Sequence, residues 1–229
     1  MTSLNSIRPR QKKLSVEERI LQAAAWVRSH QEQSWALAIA AAAAVAVIFF
    51  MLRQHQVQND EAWTQLGTAQ GQIMQGQLGT AAKTLESWNK RFAGSSAAAY
   101  AKFLKADLLY ETSDYVSASQ IYTDLAQAAR PEVLRPLALS AESYADEMAG
   151  RLAQALAAAQ SFTERYPDHF LAASMYMSQA RLNEMAGNPA AASAIYDRFV
   201  VLYPESPWTQ LAHARLQALS GPLHPTVGK

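Results

Sequence analysis

The sequence predicts an all-α protein in which a single transmembrane helix near the N-terminus precedes an α-solenoid of four helical hairpins and a capping helix. Three observations predict this fold. Alanine, the residue with the highest helix propensity, supplies 45 of the 229 residues. Residues 35–52 form an apolar run without a charge. The rest of the chain repeats small and large apolar residues with a period of 37 and has no strand-like alternation.

The composition excludes several function classes. The chain has no cysteine, which excludes a disulfide framework, a thiolate zinc site, an iron–sulfur cluster, a cysteine nucleophile and a lipid-modified cysteine. Its net charge of +1 gives no general reason to expect nucleic-acid binding. Nine glycines and nine prolines are too few for a loop-rich or disordered chain.

Residues 1–34 are predicted to be a basic cytoplasmic segment, since they contain six lysines and arginines against three glutamates. Ser15 and Glu18 have the spacing of a capping box, and apolar residues then recur at helical spacing. This pattern predicts a short amphipathic helix over 16–31. Two interpretations stay open: a solvated helix that leads into the membrane, or a helix that lies on the inner leaflet or on a partner.

Residues 35–52 are predicted to span a membrane. A helix of this length measures about 27 Å, close to the ~30 Å of a bilayer core. Trp35 and Arg53 stand at its two ends, where interfacial anchors belong. A buried core helix would have a polar face, and a cleaved signal peptide would have a shorter basic region and no arginine directly after the apolar run. We therefore favour an uncleaved signal anchor in contact with the lipid bilayer.

The distribution of basic residues predicts the orientation of this span. Six lysines and arginines precede it, and only Arg53 follows it before Lys83. The positive-inside rule then places residues 1–34 in the cytoplasm and residues 53–221 outside it. In a bacterium this is a single-pass inner-membrane protein with a periplasmic domain. Residues 222–229 are expected to be a flexible tail.

The 37-residue period predicts helical hairpins. Small residues on both helices allow close crossing, and large apolar residues one or two turns later fill the space between units. Glycine or serine five positions before each small residue of the second helix is typical of a helix end. The expected hairpins are 62–95, 99–131, 136–168 and 173–205, with a cap over 206–219. Residues that occupy the same position in successive units are 37 apart, and we call each such set a column. The clearest columns are Ala81, Ala118, Ala155 and Ala192; Trp88, Leu125, Phe162 and Phe199; Ala69, Ala106, Ser143 and Ala180; and Gly76, Ser113, Gly150 and Gly187.

These columns resemble tetratricopeptide repeats. The second helix with Tyr115, Ala118 and Tyr122 and the stretch from Tyr176 to Pro204 carry the likeness. The whole layout, together with the phrase from Phe199 to Ala212, is similar to the YfgM-like ancillary subunit family of the SecYEG translocon. The resemblance implies a membrane-anchored protein–protein interaction module of the envelope, a chaperone or adaptor beside the Sec translocon. The alternative is a structural scaffold subunit of another inner-membrane complex, in secretion, division or energy transduction.

The sequence offers little that could carry catalysis. The five histidines lack metal-ligand spacing, and neither a phosphate-binding loop nor a nucleophile elbow is present. We expect no enzyme activity, catalytic residue, cofactor, metal site or small-molecule substrate.

The sequence favours binding of other proteins over catalysis. The tetratricopeptide resemblance implies that the first helices line a concave groove, and the absence of a lysine and arginine clamp disfavours an acidic C-terminal ligand. Extended or nascent chains are expected in the groove, and a membrane complex on the span, whose alanine ridge permits close packing. An alternative interpretation is that the large groove residues are inter-helix core. The predicted groove residues are Trp63, Leu66, Tyr100, Phe103, Tyr110, Tyr144, Met148, Met177, Arg181 and Met185, with Gln70, Ile73, Met74, Asp107, Glu111, Glu147 and Glu184 beside them.

Overall fold

The structure is a computed structural model that describes residues 16–29 and 31–221, and within these ranges every regular element is an α-helix. The predicted capping-box serine, Ser15, and the predicted tail 222–229 lie outside the described residues. The helices are α1 Val16–Ser29, α2 Gln31–Met74, α3 Leu78–Phe92, α4 Ala98–Glu111, α5 Tyr115–Ala128, α6 Leu134–Met148, α7 Leu152–Arg165, α8 Ala172–Met185, α9 Pro189–Leu202 and α10 Thr209–Ser220.

The chain divides into two compact units, residues 1–57 and 58–229. In the first unit, α1 carries acidic residues in its first turn and Arg28 in its last, an order that complements the helix dipole. The apolar run of the first unit lies in α2, which is long and apolar enough to cross a membrane; none of its most apolar window is buried within the protein. The helix does not end with the apolar run at Leu52 but continues to Met74.

The second unit is the predicted α-solenoid of four hairpins and a cap. The C-terminal part of α2 packs against α3 through Ala62, Leu66 and Trp88. The hairpins α4–α5, α6–α7 and α8–α9 follow in chain order. The final helix, α10, packs on α9. The predicted fold class, including the single long apolar helix before the solenoid, is therefore confirmed.

The four hairpin turns are built alike because each first helix ends in the left-handed conformation. Gly76, Gly150 and Gly187 have φ values of 71°, 74° and 75°, and Ser113 takes the same position at 64°. The residue that follows each of these four donates its backbone N–H to the carbonyl of the residue five positions before it. The N···O distance is 2.8 Å in all four turns. This bond satisfies a carbonyl that the helix end would otherwise leave unpaired.

The 37-residue columns form the core of the solenoid. The small residues of the first and second helices are fully buried, and so are the large apolar residues that follow them. Where the first-helix column has Ser143 in place of alanine, its hydroxyl donates to the Ala155 carbonyl at 2.9 Å. In the first hairpin the Trp88 indole N–H donates to the Ala62 carbonyl at 2.7 Å. Every buried polar atom named here has a partner, as a tight helix crossing requires.

Candidate functional site: the first-helix groove

The predicted groove residues lie on the first helices of the hairpins and differ in exposure. Trp63, Met148 and Met185 are 39%, 53% and 51% exposed. Tyr100, Phe103, Tyr110, Tyr144 and Met177 are half-buried. We call the surface that these residues form with the exposed part of Arg181 the first-helix groove.

Part of the predicted set belongs to the core. Leu66 is only 6% exposed and packs with Ala62, Ala69 and Trp88, so its inclusion in a binding surface was wrong. Tyr100 and Phe103 also pack against buried residues of their own hairpin and of the next one. The interpretation of these large residues as inter-helix core therefore applies fully to Leu66 and partly to the half-buried aromatics.

Two clefts open along the groove at equivalent positions two repeats apart. The smaller, of about 200 Å³, lies between α2 and α4, and the larger, of about 390 Å³, lies among α6, α8 and α10. Second-helix tyrosines at matching positions, Tyr122 and Tyr196, contribute to one cleft each. The repeat therefore produces the same kind of cavity twice, with different side chains at the rim.

Paired charges line the larger cleft. Arg181 makes two hydrogen bonds to the Glu147 carboxylate, one of them at 2.6 Å, and Arg215 pairs with Glu184 in the same manner. The Arg215 guanidinium holds the pKa of Glu184 below its ordinary value. Burial and the bond that Tyr196 donates to Glu184 raise the pKa of that tyrosine to about 12. Because both arginines are neutralised, the cleft presents apolar surface and fixed dipoles rather than a free cation.

A half-buried acid, Asp107, lies in the smaller cleft. The Tyr122 hydroxyl donates to Asp107 Oδ1 at 2.5 Å. Burial raises the pKa of Asp107 above its ordinary value, against the opposing effect of that hydrogen bond. Burial and the neighbouring Asp107 also raise the pKa of Tyr122.

Six lining residues of the larger cleft were absent from the sequence prediction: Ser174, Ser178, Tyr196, Trp208, Leu211 and Arg215. The last three come from α10 and the loop before it, which the sequence pattern indicated only as a polar cap. Trp208 and Leu211 are 40% and 52% exposed. The signal that could have found Leu211 is its repeat register, since it stands a whole number of 37-residue periods after the predicted groove residues Trp63 and Tyr100.

The two predicted membrane anchors, Trp35 and Arg53, are both exposed in the first unit. As for metal chemistry, the described residues contain no group of three or more histidine, aspartate or glutamate side chains arranged to hold an ion.

Comparisons with known proteins agree with this architecture. Residues 139–169 and 173–206, which are the third and fourth hairpins, match the family model described as the tetratricopeptide repeat. A search of curated protein sequences finds no match. Among solved structures, the TPR-like repeats of a kinesin-light-chain-type protein from Podosopora anserina align with a TM-score of 0.57 at 13% identity, over 70% of this chain and 86% of theirs. A substituted variant of those repeats aligns equally well, over 85% of its chain.

At this identity the structural likeness concerns the fold alone, and the family model supplies the repeat type. Both the structural likeness and the family match agree with the left-handed turns and with the buried columns of small residues. The chain thus carries tetratricopeptide repeats in a TPR-like α-solenoid, which is the architecture of a protein–protein interaction module.

Proposed function

We propose that this protein is a membrane-anchored interaction module of the bacterial envelope, an ancillary chaperone or adaptor beside the Sec translocon. Its apolar helix would hold it in the inner membrane with the N-terminus in the cytoplasm. Its solenoid would act in the periplasm, where the first-helix groove would bind extended polypeptide segments. The proposal assigns no catalytic step to any residue.

The observation that carries the proposal is the run of exposed apolar side chains along the groove. Trp208 and Leu211 line the cleft of about 390 Å³ at 40% and 52% exposure, and Met148 and Met185 on α6 and α8 keep about half of their surface in solvent. Methionine and tryptophan contribute adaptable, large contact surfaces and are enriched at protein interfaces. The paired arginines add directional polar groups without demanding a charged ligand. This combination suits extended chains of varied sequence.

The membrane part of the proposal is supported by the first unit. Phe49 and Phe50 are more than 60% exposed on a helix whose apolar window is unburied within the protein. Exposing such a surface to water is unfavourable, at roughly 25 cal/mol per Å² of apolar area. A bilayer removes that cost, and the charge bias across the span favours an internal N-terminus.

The groove is tested by replacing its exposed apolar residues. We expect Met148→Ser, Met185→Ser and Trp208→Ser together to weaken binding of a carboxymethylated, permanently unfolded model protein at least tenfold, about 1.4 kcal/mol. The matched control is Val116→Ser, Val133→Ser and Val201→Ser, which removes exposed apolar side chains from the second helices α5 and α9 and from the loop before α6. Equal binding by both triple variants, with unchanged circular dichroism, would contradict the groove assignment.

A separate experiment tests which membrane complex the protein associates with. Full-length protein purified in mild detergent is expected to co-migrate with translocon subunits in stoichiometric amount. Stoichiometric recovery of a different secretion, division or energy-transducing complex, without the translocon, would contradict the proposal and favour a scaffold subunit.

A further inference from the structure

A third cleft, of about 610 Å³, lies between α4 and α5, and we call it the basic cleft. It shares no residue with either groove cleft. Its lining combines apolar side chains such as Ile121 and Leu125 with Lys102, Lys105 and Arg130. Asp124 is the one acid in the lining.

The cations of the basic cleft differ from those of the groove because they are uncompensated. Lys102, Lys105 and Arg130 are exposed, and none of them has an ion-pair partner within the described ranges. Arg181 and Arg215 in the groove, by contrast, both pair with glutamates. The basic cleft therefore concentrates positive charge in a unit, residues 58–229, that has 13 basic and 16 acidic residues, and a concave lining focuses its field.

Two further features favour a negatively charged ligand. The first turn of α4, at Ala98 and Ala99, lines the cleft, and its cap residue Ala97 offers no side-chain acceptor. The positive end of a helix dipole thus faces the same region. Ser95 also lines the cleft, and its Oγ is buried with no hydrogen-bond partner in the described structure. A buried hydroxyl without a partner is costly unless a ligand satisfies it.

We propose that the basic cleft binds an acidic segment of a partner polypeptide, with carboxylates on Lys102, Lys105 and Arg130 and small apolar side chains on Ile121 and Ala128. This site is separate from the first-helix groove. It would let the solenoid hold a fixed acidic partner at one place and an extended chain at another.

A peptide suits this cleft better than an anionic membrane surface does. Segments that recognise anionic lipids usually carry clusters of roughly 4–8 lysines and arginines. Here three cations surround a concave apolar floor and stand beside an aspartate, Asp124. Such a shape accepts side chains of a single extended segment, in the way basic clusters recognise acidic motifs.

The test uses the full-length protein in neutral detergent micelles and a fluorescent synthetic peptide of alternating glutamate and leucine. Its counterpart with every glutamate replaced by glutamine is the neutral probe. We expect Lys102→Gln, Lys105→Gln and Arg130→Gln together to weaken binding of the acidic peptide at least tenfold at low salt, measured by fluorescence anisotropy. Physiological salt should narrow the difference, because exposed charges are screened. The control, Lys83→Gln, Arg165→Gln and Arg198→Gln, removes the same net charge at residues that do not line the cleft.

A second variant tests the cleft without changing its charge. Ala128 is exposed and lines the cleft, so Ala128→Trp should block it and weaken acidic-peptide binding at least tenfold while the fold, followed by circular dichroism, is retained. Equal binding by wild type, the cleft triple variant and Ala128→Trp would overturn the proposal. So would equal binding of the acidic and neutral peptides. Loss of binding to phosphatidylglycerol vesicles in the triple variant, with peptide binding intact, would overturn it in favour of a lipid ligand.

Discussion

At the residue scale, small side chains determine how closely the helices of the solenoid approach. Ala81, Ala118, Ala155 and Ala192 occupy one position of each hairpin, and all four are fully buried. Each lies at a helix crossing where a larger side chain would force the backbones apart. The first-helix column shows the same constraint, and its one hydroxyl, that of Ser143, is satisfied internally.

Overpacking this column should therefore destabilise the solenoid. We expect Ala118→Leu and Ala155→Leu each to lower the free energy of unfolding by ~1–3 kcal/mol. The control is Ala153→Leu, because Ala153 is exposed on the same helix as Ala155. Urea denaturation of the three variants measures the difference. If the two core variants unfold at the same urea concentration as the control, the assignment of this column to helix crossings is wrong.

The half-buried carboxyl of Asp107 should give the protein a specific pH dependence. Its folded pKa is raised above the ordinary 3.8, so the folded state holds the proton more tightly than the unfolded state does. Its stabilising contribution is complete below 3.8 and is lost as pH rises through the raised pKa. We therefore expect Asp107→Asn, which cannot titrate, to gain stability relative to wild type across that interval. A constant difference in the free energy of unfolding across the interval would show that Asp107 does not titrate there.

The exposure of individual side chains was the feature that the sequence predicted least well. Leu66 shares the helical spacing of the groove residues, yet it faces the core because the first hairpin packs α3 across that part of α2. Trp208 lies in a loop, where helical spacing carries no information about its direction. The pairing of Arg181 with Glu147 joins side chains on two different hairpins, α8 and α6, and a repeat pattern does not specify such pairs.

At the element scale, the turns explain why one period produces four similar hairpins. Each turn needs one residue with positive φ, which glycine adopts with no steric cost from a Cβ. Three of the four turns use glycine, and the second uses Ser113. The sequence pattern predicted all four positions, because the requirement is local and recurs with the repeat.

This requirement predicts substitutions of opposite sign. We expect Gly187→Ala to destabilise the protein by about 1 kcal/mol, and Ser113→Gly to stabilise it by a similar amount, because a side chain in this conformation is strained. No neighbouring atom lies within 4 Å of a Cβ built at Gly187, so the effect tests backbone conformation rather than packing. The melting temperatures of the two variants are compared with that of the wild-type protein. Shifts of the same sign would contradict the shared turn geometry.

The extent of α2 was not predictable in the same way. The apolar run ends at Leu52, where the sequence changes from lipid-compatible to polar residues. The backbone has no reason to stop there, because residues 53–61 contain neither glycine nor proline. The helix therefore continues through the composition change and ends only beside Gly76, where the left-handed turn begins.

At the scale of the whole molecule, the membrane proposal makes a topological prediction. An alkaline phosphatase reporter, active only outside the cytoplasm, should be active when fused after Lys229 and inactive when fused before residue 35. The reason is the excess of lysine and arginine on the N-terminal side of the span. The reverse pattern of activity would place the solenoid in the cytoplasm and remove the translocon proposal.

The central claim is that the first-helix groove holds extended polypeptides in the cell, and photo-crosslinking tests it most directly. A photo-reactive amino acid replaces Met185 on the first helix α8 or Trp208 at the larger cleft, and in the control it replaces Val201, which is 79% exposed on the second helix α9. All three positions are exposed, so the substitutions should preserve the fold. We predict abundant crosslinks to polypeptides from the two groove positions and few from position 201. Equal crosslinking from all three positions, or none from the groove, would contradict the account.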